Sequence, residues 1–287
     1  MTTLQGVDES QTPSSGNNAA GGPPPRVVRD VFRVDGVPAL LPGGESGSWR
    51  CSSAVLKRVD DTEQASWIAE VLSELTVPSS IVVPRPIAAT DGAWVVEGWT
   101  CAQYVDASPQ ARRWHDIIEA GRTFHASLSA VRRPSWMDRV DDWWRHGDAV
   151  AWDDRTPVGP PPYLALLDRL LAFRRPVAST AQLVHGDLCG NVLFDRTDRA
   201  VIIDFSPYWR PVEWASAVVA LDAYEWEDAG PHALTWLDDV DPSRQLLVRA
   251  AIYRIATSAE VALTRGFDDC KYHVHAETVD VLTTMAG

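Results

Sequence analysis

Positions 1–25 are polar, glycine- and proline-rich and almost free of large apolar side chains, so this tail has too little surface to bury and is expected to stay outside the fold. From Val27 to about Val105 the apolar residues come in short β-type runs, at 37–41, 49–51, 54–59, 87–89 and 93–105, with turn residues at 42–44 and 91–92. One helix interrupts them. Trp67, Ile68, Val71, Leu72 and Leu75 recur at helical spacing behind the cap residues Asp61 and Thr62, and Pro78 ends the run.

Beyond Asp106 the period changes. Trp114, Ile117, Ile118, Gly121, Phe124, His125 and Leu128 form one helical stripe, with Ser108 and Pro109 as the predicted N-cap and first helical residue. Residues 163–174 and 243–264 are helical in pattern, and helices are expected to dominate from 212 onward. The stretch 136–162, rich in tryptophan and proline, shows no clear period, whereas 192–194 and 200–203 are two β runs of a hairpin. The pattern predicts a small β-rich lobe at 26–105, a hinge near 103–105 and a larger helical lobe at 106–287.

A length of 287 residues with 45% hydrophobic content suits two lobes with a substantial core. The net charge of −13 argues against nucleic acid or an anionic membrane as the main partner, because both call for basic patches. No apolar run approaches a membrane span and the first residues lack a signal pattern, so a soluble cytoplasmic protein is expected. The four cysteines are far apart without metal-binding spacing, which predicts reduced thiols, with Cys189 a small side chain filling a loop. Most of the 13 tryptophans are expected to be packing residues with satisfied indole N–H groups.

The most informative chemistry lies at 185–204. His185, Gly186 and Asp187 follow an apolar run, Asn191 comes four residues after Asp187, and the hairpin delivers a second aspartate, Asp204. Phosphoryl transfer uses such a set, since it proceeds by positioning and charge neutralisation. Asp187 would orient an acceptor and take its proton, while Asn191 and Asp204 would hold Mg²⁺. HGD alone is more often an ordinary turn; the carboxamide and the second carboxylate at hairpin spacing are what favour chemistry.

The nucleotide side is expected in the β-rich lobe. Gly43, Gly44 and Gly47, with Ser46 and Ser48, lie between two strands where backbone N–H groups can approach phosphate oxygens. Lys57 ends a β-type run, placed to reach the α- and β-phosphates of ATP. A helix glutamate should hold it, and Glu63, Glu70 and Glu74 share one helix face, with Glu70 fitting the linear spacing somewhat better. Gln103 and Val105, at the hinge, complete the expected nucleotide contacts.

With a strand lysine, a glycine-rich hairpin, HGD…N and IDF in this order, the chain resembles the aminoglycoside phosphotransferase family of small-molecule kinases, whose relatives include choline kinases. The segment VPRPI at 83–87 adds to the likeness. The resemblance implies an α+β, bilobal, protein-kinase-like fold with the catalytic hairpin in the helical lobe. It also implies Asp187 as base, Asn191 and Asp204 as magnesium ligands, and Lys57 on the phosphates of ATP. Three departures stand out: four positions rather than five from Asp187 to Asn191, Ser206 where many relatives have glycine, and EWAS at 213–216 where a bracing aspartate is usual.

The function expected is ATP- and Mg²⁺-dependent phosphoryl transfer to a small hydroxylated or aminated metabolite. The alternatives are a nucleotide-binding regulatory protein with weak or no catalysis, and nucleotidyl transfer. Segments 141–144 and 222–228 place carboxylates beside aromatics and are the expected acceptor-binding parts. The oligomeric state is left open.

Overall fold

The computed structural model describes residues 22–42, 47–152, 155–238 and 242–286. The chain opens with a short helix, α1 (Arg26–Val31), where β structure dominates the sequence pattern; it forms because Val28 and Phe32 bury completely or nearly so in the core of the first lobe. Strand β1 (Ala39–Leu40) pairs with β2 (Ser48–Cys51), β2 with β3 (Ala54–Arg58), and β3 with β5 (Trp99–Gln103), all antiparallel. Leu56, Cys51, Trp99 and Cys101 alternate inward from these strands, the period-2 burial that holds a half-solvated sheet.

Helix α2 (Thr62–Glu74) starts where Asp61 caps it by accepting from Gln64 N at 2.9 Å. Its apolar face packs on the second core, next to the hairpin of 192–202. After it, β4 (Ile81–Val82) runs parallel to β9 (Ala200–Ile202), so two residues from the N-terminal half join the hairpin's sheet, whose strand order is β4, β9, β8 (Val192–Asp195), β6 (Ala107–Ser108). The long strand expected at 93–105 is shorter. Residues 93–98 make a tight turn instead, with Glu97 and Gly98 both at positive φ (49° and 75°) and Val96 bonded to Trp99.

The helix of the 114–128 stripe, α3 (Trp114–Leu128), begins five residues after the expected start. Ser108 is not its cap because 107–108 are drawn into the sheet as an edge strand beside β8. The stripe itself is buried as the spacing predicts, including Phe124 and His125. The aperiodic stretch contains helix α4 (Trp143–Ala151), capped by Asp142 accepting from Arg145 N at 2.7 Å. Helix α5 (Pro161–Phe173) starts on two prolines, which lack only the N–H that a first turn leaves unused. Strand β7 (Gln182–His185) pairs antiparallel with β10 (Pro207–Arg210).

The rest is helical, as expected. Helices α6 (Val212–Trp226), α7 (Ser243–Arg265) and α8 (Asp269–Ala286) pack with α5 around the largest core, and α6 is buried along most of its length. No described helix is long and apolar enough to cross a membrane. All four cysteines are unpaired, and Cys189 is buried in the loop between Asp187 and Asn191, where burial pushes its thiol well above the usual value. Indole satisfaction is less complete than expected: Nε1 of Trp49, Trp136, Trp152 and Trp214 is buried without a hydrogen-bond partner among the described residues.

Phe124 is fully buried and meets Phe205 edge-on at 5.2 Å, tying α3 to the segment after Asp204. Phe124→Ala should lower unfolding stability by about 3–5 kcal/mol in a denaturant titration. A loss under about 1 kcal/mol would show that this contact does not carry the packing between α3 and the hairpin.

Candidate active site

The hairpin is built by local chemistry. Val192 pairs with Ile202, Leu193 with Val201 and Phe194 with Ala200, and Asp195 Oδ1 closes the turn by accepting Thr197 N–H at 2.8 Å and Arg199 N–H at 3.0 Å. At its open end Ile203 N donates to Asn191 O at 2.9 Å, which locks the end of the HGD loop against the strand that delivers Asp204.

His185 organises this end. Its Nδ1 accepts the Asp187 N–H at 3.2 Å, and its Nε2, also at 3.2 Å, meets the Ile203 carbonyl. Only the neutral ring with the proton on Nε2 satisfies both bonds. Burial holds the ring neutral, depressing its pKa although Asp187 and Asp204 pull the other way. His125 of α3 repeats the logic: its Nε2 accepts the His185 backbone N–H at 2.9 Å, and burial, helped by His185, lowers its pKa to about 3.

The glycine of HGD is required by contact. A Cβ on Gly186 would lie 2.3 Å from Cδ2 of the buried Tyr208, whose hydroxyl is 3.0 Å from that of Tyr253. On the other side of the loop Asn191 Nδ2 donates to Asp187 O at 2.7 Å and to Asp187 Oδ2 at 3.2 Å. That leaves Asn191 Oδ1 without a partner among the described residues.

Asp187 Oδ1 accepts from Arg254 Nη2 of α7 at 2.9 Å. Arg254 in turn grips Asp222 of α6, with Nε to Oδ1 at 2.9 Å and Nη2 to Oδ2 at 2.5 Å. Burial opposes the guanidinium charge, but Asp222, Tyr253 and Asp187 outweigh it and hold the Arg254 pKa well above its usual value. Neither Arg254 nor Asp222 carries a sequence signal for this role; the contacts span 67 and 32 positions. They brace the loop that EWAS at 213–216 does not.

Lys57 Nζ lies 2.9 Å from Asp204 Oδ1, so the strand lysine and the hairpin carboxylate meet in one place. Asp204 itself has φ 48°, a left-handed backbone that aspartate tolerates better than most residues. The expected lysine–glutamate pair is not formed. Glu63 pairs with Arg139 instead, and Glu70 and Glu74 are exposed, because Trp67, Ile68, Val71 and Leu72 turn the other face of α2 to the core.

Ser48 stands directly across from Lys57 in the β2–β3 register, next to Gly47, which has φ 67°. Gly43, Gly44 and Ser46 lie outside the described residues. At the hinge Gln103 N donates to Arg85 O and Tyr104 N to Ser53 O, both at 2.8 Å, whereas the N–H and C=O of Val105 have no partner among the described residues. The site thus gathers Asp187, Asn191, Asp204, Lys57 and Ser48. A Mg²⁺ ion fits its donors, the free Oδ1 of Asn191 and the half-exposed Asp204 carboxylate, since Mg²⁺ takes one or two protein oxygens and keeps several waters.

The acceptor segments divide. Trp143, Trp144 and Trp226 line a cleft of about 570 Å³, together with Arg254, Tyr163 and Phe267. Of their carboxylates, Asp141 turns to Arg155, Asp142 to the α4 cap, Asp222 to Arg254, Glu225 to His275 and Thr278, and Glu227 to the Trp114 indole. Asp268 and Asp269, at the start of α8, are the acids that line the cleft.

Two outcomes follow from this geometry. Gly186→Ala should cost about 1–3 kcal/mol from overpacking against Tyr208, with strong coupling to Tyr208→Leu in a double-mutant cycle; additive effects would remove the contact as the cause. His125 has a folded pKa of about 3, below its unfolded value of roughly 6.5. Its stabilising contribution is therefore complete above pH 6.5 and is lost as pH falls toward 3. His125→Phe should flatten the acid limb of stability against pH by one proton, and an unchanged slope would contradict the buried neutral ring.

The profile of the phosphotransferase enzyme family matches residues 42–208, more than half of the chain and the part that carries Lys57 and the hairpin. Among solved structures, an aminoglycoside phosphotransferase from Alicyclobacillus acidocaldarius is similar, with TM-score 0.58, 15% identity and coverage of 94% of this chain and 97% of that one. A thermostable mutant of APH(4)-Ia in ternary complex with AMP-PNP and hygromycin B gives TM-score 0.58 at 12% identity, covering 91% and 98%. A choline/ethanolamine kinase family protein from Mesorhizobium loti gives 0.53 at 14% identity, covering 86% and 88%. No curated protein matches by sequence. The shared architecture is the α+β, protein-kinase-like one, with a sheet-rich N-terminal lobe and a helical C-terminal lobe. By its sequence match and its fold, the chain belongs to the phosphotransferase enzyme family.

Proposed function

We propose that this phosphotransferase moves the γ-phosphoryl group of ATP, with Mg²⁺, to a small hydroxylated or aminated metabolite such as a sugar, amino sugar or amino alcohol. The observation that carries the reading is the meeting of Lys57 and Asp204 at 2.9 Å, beside the Asp187–Asn191 pair. Two chemistries that the sequence separates by more than 100 positions converge on one cleft. The nucleotide of the APH(4)-Ia complex, AMP-PNP, supports an ATP site by analogy of fold.

In this reading Lys57 turns from Asp204 to the α- and β-phosphates. Val105, whose N–H and C=O have no partner among the described residues, and Gln103 would meet the purine edge. Asn191 Oδ1 and Asp204 would hold Mg²⁺, which would supply charge neutralisation on the phosphate oxygens. Asp187 points one oxygen at the acceptor and receives its proton. Arg254 and Asn191 keep that carboxylate in one orientation, in keeping with catalysis by positioning in a loose phosphoryl transition state. Glu70 has no part in this arrangement, because it lies exposed on the face of α2 turned away from the core.

The acceptor binds in the cleft of Trp143, Trp144 and Trp226, which Arg254 joins to Asp187. Indole faces and the acids of α8 suit a polyhydroxylated or cationic body. Asp187→Ala should lower transfer from radiolabelled ATP to a sugar, amino sugar or amino alcohol panel by at least ~100-fold while leaving the melting transition in place. Undiminished turnover in that variant would refute the assignment of the base.

A further inference from the structure

The cleft contains a second set of reactive groups. Ser258 Oγ on α7 lies 3.0 Å from His275 Nε2 on α8, and His275 Nδ1 lies 3.0 Å from Glu225 Oε1 on α6. Glu225 and His275 are buried, with side-chain exposures of 0% and 1%, whereas Ser258 is partly exposed. Ser258 and His275 both line the cleft. Thr278 Oγ1 lies 2.6 Å from the same Glu225 oxygen and 3.0 Å from Val274 O, its one proton shared between these acceptors, and Glu225 Oε2 is buried without a partner among the described residues. The tautomer that suits a serine nucleophile has His275 donating from Nδ1 to Glu225 and Ser258 donating to Nε2.

A nucleophile also needs a donor for the oxygen that becomes negative. Arg254 stands four residues before Ser258 on α7, so the two side chains share one helix face about 5–6 Å apart at Cβ. Its Nε and Nη2 are occupied by Asp222 and Asp187, but Nη1 has no partner among the described residues, and the side chain lines the cleft. Trp143, Trp144, Trp226 and Phe267 supply an aromatic wall for an apolar group.

We propose that Ser258, His275 and Glu225 form a second catalytic centre, a serine nucleophile for carboxylic esters with an aromatic or apolar body. Ser258 Oγ bonds to the ester carbonyl carbon while its proton passes to His275 Nε2, and Arg254 Nη1 donates to the oxyanion. Collapse breaks the ester C–O bond, and the leaving alcohol takes the proton from His275. Water then adds to the acyl-serine, giving its proton to His275; release of the acid returns that proton to Ser258. No step uses the nucleotide, so the inference stands apart from the phosphoryl-transfer reading.

The test uses the full chain, a fluorophosphonate and p-nitrophenyl acetate, without ATP. Mass spectrometry should find one phosphonate adduct, on the Ser258 peptide. Ser258→Ala, checked for an unchanged melting transition, should lose both the adduct and the ester turnover. Glu225→Gln, which keeps shape but weakens the orienting acceptor, should slow labelling by at least ~100-fold. An adduct on another serine, no adduct, or ester turnover unchanged by Ser258→Ala would overturn the proposal. So would labelling at an undiminished rate in a folded Glu225→Gln.

Discussion

A neutral, buried imidazole is the constraint on which the site depends. His185 takes the Asp187 N–H on one nitrogen and gives a proton to the Ile203 carbonyl from the other, so one rigid ring sets the distance between the two arms that carry Asp187 and Asp204. Charging the ring would turn its Nδ1 acceptor into a donor facing the Asp187 N–H. Burial prevents that, and the cost of an unpaired polar group in this interior makes the arrangement close to all-or-none. Gly186 is then dictated by the ring of Tyr208, and His125 by the backbone N–H that His185 must place. The motif HGD is thus three answers to one packing problem.

Around this core the loop is held from three directions. Asn191 ties Asp187 from within the loop, Arg254 clamps it from α7 with Asp222 behind, and Lys57 reaches Asp204 from the β-rich lobe. The pairing of β4 with β9 carries the lobe connection into the same sheet. A loop one position shorter than usual between Asp187 and Asn191, and without an aspartate in EWAS, is braced here by a buried arginine whose charge two carboxylates compensate. Breaking one partner of such a group leaves a buried charge unmatched, which is why Asp222 belongs with Arg254 as a unit.

Much of this was legible in the sequence, for physical reasons. The hairpin, α2, α5, α7 and the stripe of α3 follow from apolar period and caps, and Asp187, Asn191, Asp204 and Lys57 follow from residue types that phosphoryl transfer needs. What escaped is long-range or decided by burial. Arg254 and Asp222 meet across two helices with nothing local to mark them, and α1 forms only because Val28 and Phe32 have a core to enter. Ser108 has the side chain of a helix cap, but an edge strand claims it. Glu70 lies at a plausible spacing from Lys57 on the face of α2 that tertiary packing turns to solvent. In the segments expected to bind the acceptor, tryptophans line a cleft, while Asp141, Asp142 and Asp222 are taken up by Arg155, the α4 cap and Arg254.

The neutral staple can be observed directly through the imidazole ¹⁵N shifts of His185. A pyridine-like Nδ1 and a protonated, pyrrole-like Nε2, unchanged as pH is lowered from 8 through the ordinary histidine value of about 6.5, is the expected result. A cationic shift pattern for both nitrogens near pH 6.5, or the opposite tautomer, would contradict the account.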